Sequence, residues 1–161
     1  MKWITFCGTI TDESIDDLLE EINNTQEDIA LKITSNGGSV SLGQFLTEVI
    51  NNEEKIKLIY FAWEISSAMF DVFLSNKKPY KTLGMFSALH LGRRNISTQM
   101  DNEDYFLLDR LKESNHNMIE LFTNAGLEQD KLDKILDHED VYITQEEAIK
   151  MKETLDKFNS K

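Results

Sequence analysis

The stretch from Trp3 to Ala62 switches repeatedly between two hydrophobic periods, and that switching leaves few architectures open. "WITFCGTI" reads as a strand. "DESIDDLLEEINN" sets Ile15, Leu18, Leu19 and Ile22 on one helical face, with Thr11 or Asp12 able to cap it. "DIALKITS" is a second strand. "NGGSVSLGQFLTEVINN" turns through Gly37 and Gly38 into a helix expected to bury Leu42, Phe45, Leu46, Val49 and Ile50. "KIKLIYFA" is a third strand, so apolar at its end that it predicts a sheet covered on both faces. Strand and helix in alternation define an α/β chain whose crossovers are right-handed.

The remaining elements follow the same logic. "ISSAMFDVFLSNKK" predicts a helix over about 66–76. "KPYKT" and "FSALHL" read as two short strands. A long helix is expected from about Glu103 to Asn124, with Gly126 as its terminator. "EQDKLDKIL" is a short helix and "VYI" a brief strand. "TQEEAIKMKETLDKF" opens on a capping box, Thr144 to Glu147. No repeat, low-complexity block or linker breaks the pattern, so residues 1–161 are expected to form a single domain.

Charge and cysteine usage narrow the function. A net charge of −12 repels phosphate backbones and anionic lipid, so neither nucleic acid nor a membrane is an expected partner. No apolar run is long enough to span a bilayer, and "MKWITFCG" lacks the pattern of a signal peptide. The single cysteine, Cys7, cannot form an internal disulfide, which suits the cytoplasm. Its apolar, strand-like surroundings predict a buried structural thiol. His90, His116 and His138 have no metal-ligand spacing with it, so neither metal nor cofactor is expected.

Chemistry could gather where strands end. The glycines of "TSNGGSV" let backbone amides face a cleft with no side chain in the way. Ser66 and Ser67 stand where an apolar strand meets an apolar helix. Either could cap that helix, or be a nucleophile beside amides that favour an oxyanion. His90 follows the apolar "MFSAL" and could be a core residue or a base. Asp140, with Asp137 and Glu139 as competitors, could orient that base.

Several of these blocks, in this order, resemble the ClpP-type serine peptidases, the proteolytic subunits of Clp proteases. "FCGTITDESIDDLLEEI" is similar to the family's opening strand and helix. "LKITSNGGSVSLGQFLTEVI" resembles its Ile-x-Ser-Pro-Gly-Gly-Ser-Val block and the helix after it. "ISSAMFDVFLSNKKPY" falls on the nucleophile helix, "MFSALHLG" on the strand carrying the family histidine, and "HEDVYITQEEAIKM" on the segment with the family aspartate. The resemblance implies a ClpP/crotonase-like fold of repeated β-β-α/βα units with a protruding handle helix. It implies Ser67 as nucleophile in preference to Ser66, His90 as base, Asp140 as acid, and the Gly38 and Ala68 amides as the oxyanion hole. It further implies a serine endopeptidase acting on peptides or unfolded proteins inside a homo-oligomeric ring. "LGRRNISTQMDNEDYF" would be the handle, with Arg93 and Arg94 either solvated or paired across a subunit contact.

The chain also departs from the family pattern. Asn36 replaces a proline, Trp63 stands where glycine is usual, Glu64 precedes the serines, and Asp71 enters a helix that is usually apolar. The "KMKETLD" tail lacks the glycine usually found before the closing Leu-x-Asp. The sequence starts at the first core strand, with no axial-loop segment expected, which weakens but leaves open the expectation of an ATPase partner. These departures motivate an alternative, a catalytically inactive ClpP-like scaffold subunit. A crotonase-type acyl-thioester enzyme, which shares the paired oxyanion amides, is a third reading.

Overall fold

The computed structural model describes residues 1–92 and 102–160. Its strands are β1 (Lys2–Cys7), β2 (Ile29–Ser35), β3 (Ile56–Ile65), β4 (Tyr80–Leu89) and β5 (Val141–Thr144). Its helices are α1 (Asp12–Asn23), α2 (Val40–Asn52), α3 (Ala68–Ser75), α4 (Asn102–Asn124), α5 (Gln129–Leu136) and α6 (Gln145–Asn159). The class is α/β, as the alternation of periods predicts. The strands form one sheet in sequence order, β1-β2-β3-β4-β5. β1 to β4 are parallel, and β5 joins β4 antiparallel.

The core lies on one face of this sheet. Ile4, Phe6, Leu31, Ile33, Ile59 and Phe61 point into it from alternate strand positions. Ile15, Leu18 and Ile22 of α1, Leu46 and Ile50 of α2, and Phe70 and Phe73 of α3 meet them from the helices. Phe61 and Phe73 join the layers in an edge-to-face contact with centroids 5.0 Å apart, an arrangement the ring quadrupole favours.

The structure corrects several expectations. Among the described residues the helices cover one face of the sheet. On the other face Trp3 stacks near Tyr60 at 4.9 Å, Lys81 lies over Tyr60 and Lys32 over Trp63, so long side chains rather than helices shield β3. Cys7 is exposed on β1, because period-2 alternation sends Ile4 and Phe6 inward and the thiol outward. Phe45 is exposed too, since the buried stripe of α2 runs through Gly43, Leu46 and Ile50. The two short strands proposed around Gly84 are one strand, β4. Gly84 adopts φ 58° opposite a bulge at Trp63, which disturbs the alternation but not the strand. The units observed are βα units. An isolated parallel bridge, Ile10 to Gly38, links the loops that follow β1 and β2. Arg93 and Arg94 lie outside the described residues.

Candidate active site

Parallel strands end at one edge of a sheet, and loops that follow them meet there. β2 delivers Asn36, Gly37 and Gly38 to that edge, β3 delivers Ser66 and Ser67, and β4 delivers His90. Asp140 precedes β5 in the chain, so a parallel β5 would put it at the opposite edge. Because β5 runs antiparallel, with Val141 opposite Leu89, Asp140 arrives beside His90.

Three side chains from these segments form a linear array. His90 Nε2 lies 3.0 Å from Ser67 Oγ. His90 Nδ1 lies 3.4 Å from Asp140 Oδ1. Asp140, rather than Asp137 or Glu139, is the carboxylate paired with the imidazole among the described residues. A proton on Nδ1 facing the carboxylate leaves the Nε2 lone pair for the serine hydroxyl, the tautomer a general base requires. His90 and Asp140 are partly open to solvent, with side-chain exposures of 38% and 51%.

Ser67 is held in an unusual backbone conformation. Its φ of 53° and ψ of −132° lie where L residues rarely sit, and such strain recurs at functional turns. The turn is pinned from several sides. The Ser67 amide donates to the Ala88 carbonyl at 2.9 Å, and the Ser66 amide donates to the Ser35 carbonyl at 3.0 Å. The buried Ser66 hydroxyl accepts from the Ala88 amide at 2.9 Å. The two hydroxyls thus divide: Ser66 ties β3 to β4, and Ser67 faces the imidazole. Ser67 occupies the N-cap position of α3, yet its hydroxyl caps no amide.

The glycine loop lies against this turn. A Cβ on Gly37 would stand 2.6 Å from Ser67 Cβ and 2.8 Å from the Ser66 carbonyl oxygen. Gly37 is therefore required by contact as well as by its φ of 98°. The resemblance implies the Gly38 amide for the oxyanion hole and assigns Gly37 no separate role. A Cβ on Gly38 would meet the Ile10 carbonyl oxygen at 2.4 Å. Among the described residues neither the Gly38 amide nor the Ala68 amide donates a hydrogen bond. Ala68 is the first residue of α3, so its amide is one of the orphan donors of a helix start. Among the described residues no group of acidic, histidine and cysteine side chains is arranged to hold a metal. None of the described helices is long and apolar enough to cross a membrane.

The chain matches no protein-family model and no curated protein.

Proposed function

We propose that the chain is a serine peptidase of the ClpP type. The observation that carries this reading is the Ser67–His90–Asp140 array, at 3.0 and 3.4 Å, with its serine in a strained strand-to-helix turn. Ser67 Oγ attacks the carbonyl carbon of a peptide bond while His90 Nε2 takes its proton. Asp140 holds the imidazole and stabilises the cation that forms. The Ala68 and Gly38 amides receive the negative oxygen; loss of one such donor typically costs about 3–4 kcal/mol. His90 then gives its proton to the leaving amine, and water hydrolyses the acyl-enzyme by the reverse sequence. The resemblance of the "SNGGSV", "ISSAMF", "SALH" and "HEDVYIT" blocks supports a ClpP-like fold and a homo-oligomeric ring. A ring also has a physical rationale, since a partly exposed triad would otherwise cut proteins indiscriminately.

The inactive-scaffold reading draws on Trp63, which has φ 57° and stands exposed in a bulge of β3, the strand leading to the nucleophile turn. A fluorophosphonate probe separates the two readings. It labels the native assembly at Ser67 if the array is competent, and Ser67→Ala abolishes the label. Peptide turnover falls by roughly 10⁴–10⁶-fold in the same variant. An unlabelled native assembly that turns over no peptide would refute the peptidase reading.

A further inference from the structure

A cavity of about 350 Å³ opens between α2, α3 and α4. That volume falls within the range of roughly 300–1,000 Å³ typical of ligand pockets. Its wall includes Ala68, whose amide stands at the proposed oxyanion hole. Asp71 also lines it, three residues along α3 and so on the same helical face, about 4.5 Å along the helix axis. Val40, Met118 and Leu121 make its sides apolar.

Two buried polar atoms of the cavity lining lack partners among the described residues. Asp71 Oδ1 is withdrawn from solvent and makes no hydrogen bond, and the same holds for Ser114 Oγ on the α4 side. A buried carboxylate oxygen left unpaired costs free energy that a donor would recover. Burial alone pushes the Asp71 carboxyl up to about 7. Glu48 of α2 is a second carboxylate in the lining, and among the described residues lining the cavity none is a lysine, arginine or histidine. Apolar walls ending at an unpaired carboxylate suit a long aliphatic stem with a cationic, hydrogen-bond-donating tip.

We propose that this cavity receives the side chain of the residue whose carbonyl is attacked, and that Asp71, aided by Glu48, selects lysine or arginine there. The proposal rests on the peptidase reading for its orientation: a carbonyl seated at the Ala68 amide directs its own side chain past Ala68 into the cavity. The array explains cleavage; the cavity explains which bond is cleaved.

The test uses the native assembly and matched fluorogenic peptides with arginine, lysine, citrulline or norleucine before the scissile bond. Arginine and lysine peptides should exceed citrulline and norleucine peptides in kcat/KM by roughly 10- to 100-fold, the worth of a charge-assisted hydrogen bond. Asp71→Asn should bring that ratio towards one, and Glu48→Gln should lower it less. Equal or better cleavage after norleucine in the wild-type assembly overturns the proposal without any variant. Binding of p-aminobenzamidine, followed by its fluorescence, gives a readout independent of catalysis. Asp71-dependent binding without fluorophosphonate labelling would keep the cation pocket and remove the peptidase. Labelling at Ser67 without binding or cationic preference would keep the peptidase and remove the pocket. Neither labelling nor binding removes both.

Discussion

Helices α3 and α6 begin alike and are used in opposite ways. Each follows a strand, each has a hydroxyl residue at its N-cap, and each carries a carboxylate in its first turn. At α6 the N-cap hydroxyl and the N3 carboxylate are paired reciprocally. Thr144 accepts from the Glu147 amide at 3.3 Å, and Glu147 reaches back to the Thr144 amide at 2.9 Å. Glu147 also receives Lys131; that bond first, and the Thr144 amide second, hold its carboxyl down at about 2. At α3 the side-chain cap is missing, and the Met69 and Phe70 amides donate instead to the Ser66 and Ser67 carbonyls at 3.1 and 2.8 Å. Ser67 turns its hydroxyl to His90 rather than to an amide, and burial drives the Asp71 carboxyl up to about 7. A structural helix start satisfies its own donors. A helix start that leaves its first amide and a buried carboxylate oxygen without partners is poised to meet a ligand.

Substitutions at the two helix starts should therefore move stability in opposite directions, and urea unfolding measures each. The largest effect belongs to Asp71. Its folded-state pKa lies above the unfolded value of 3.8, so its contribution is complete below pH 3.8 and is lost as pH rises through about 7. Asp71→Asn should stabilise the chain by roughly 2–4 kcal/mol at pH 8 and by almost nothing near pH 3.5. A flat difference across that range would show that the carboxyl is solvated. Next comes Thr144→Ala, which removes the α6 cap and should cost about 1–2 kcal/mol. Ser67→Gly should do the reverse. It relieves the positive φ and removes a hydroxyl that caps nothing, for a gain of roughly 0.5–1 kcal/mol. A loss there would mean that the hydroxyl supports the fold.

The smallest effect is at Glu147, whose side chain is 39% exposed. Solvent screens its pair with Lys131, so Glu147→Gln should cost about 0.5 kcal/mol at neutral pH. Its folded-state pKa is depressed, so the contribution is present above the ordinary value of 4.5 and fades as pH falls towards 2. The pH trends at Asp71 and Glu147 thus have opposite signs, and observing one sign for both would break the comparison between the helix starts.

Much of this was legible in the chain. The period-3.6 stripes of "DESIDDLLEEI" and "TQEEAIKMKETL" mark α1 and α6, because burial of one helical face demands that spacing. The capping box of α6 is likewise a local pattern, as Thr144 and Glu147 need only each other and their own backbone. Less was legible where faces are shared. Phe45 and Cys7 sit in apolar contexts yet are exposed, since local hydrophobicity does not say which side of an element finds a partner. The apolar end of β3 suggested a sheet covered on both faces, and on the face without helices a tilted contact of Trp3 with Tyr60 shields part of it. At the site, the sequence placed two hydroxyls side by side, Ser66 and Ser67, and only the resemblance favoured Ser67. The difference between them is φ and ψ, and the β4 carbonyl at Ala88 that receives the Ser67 amide is distant in the chain.

Local order determined the α/β class, the helix starts and the candidate residues, because propensity, capping and hydrophobic period act over a few neighbouring positions. The direction of β5, which brings Asp140 to His90, was decided by pairing along the edge of β4. So was the cavity in which Asp71 lacks a partner, enclosed by three helices. Distances of a few ångströms between segments tens of residues apart depend on how whole layers dock, and no short-range rule of sequence encodes them.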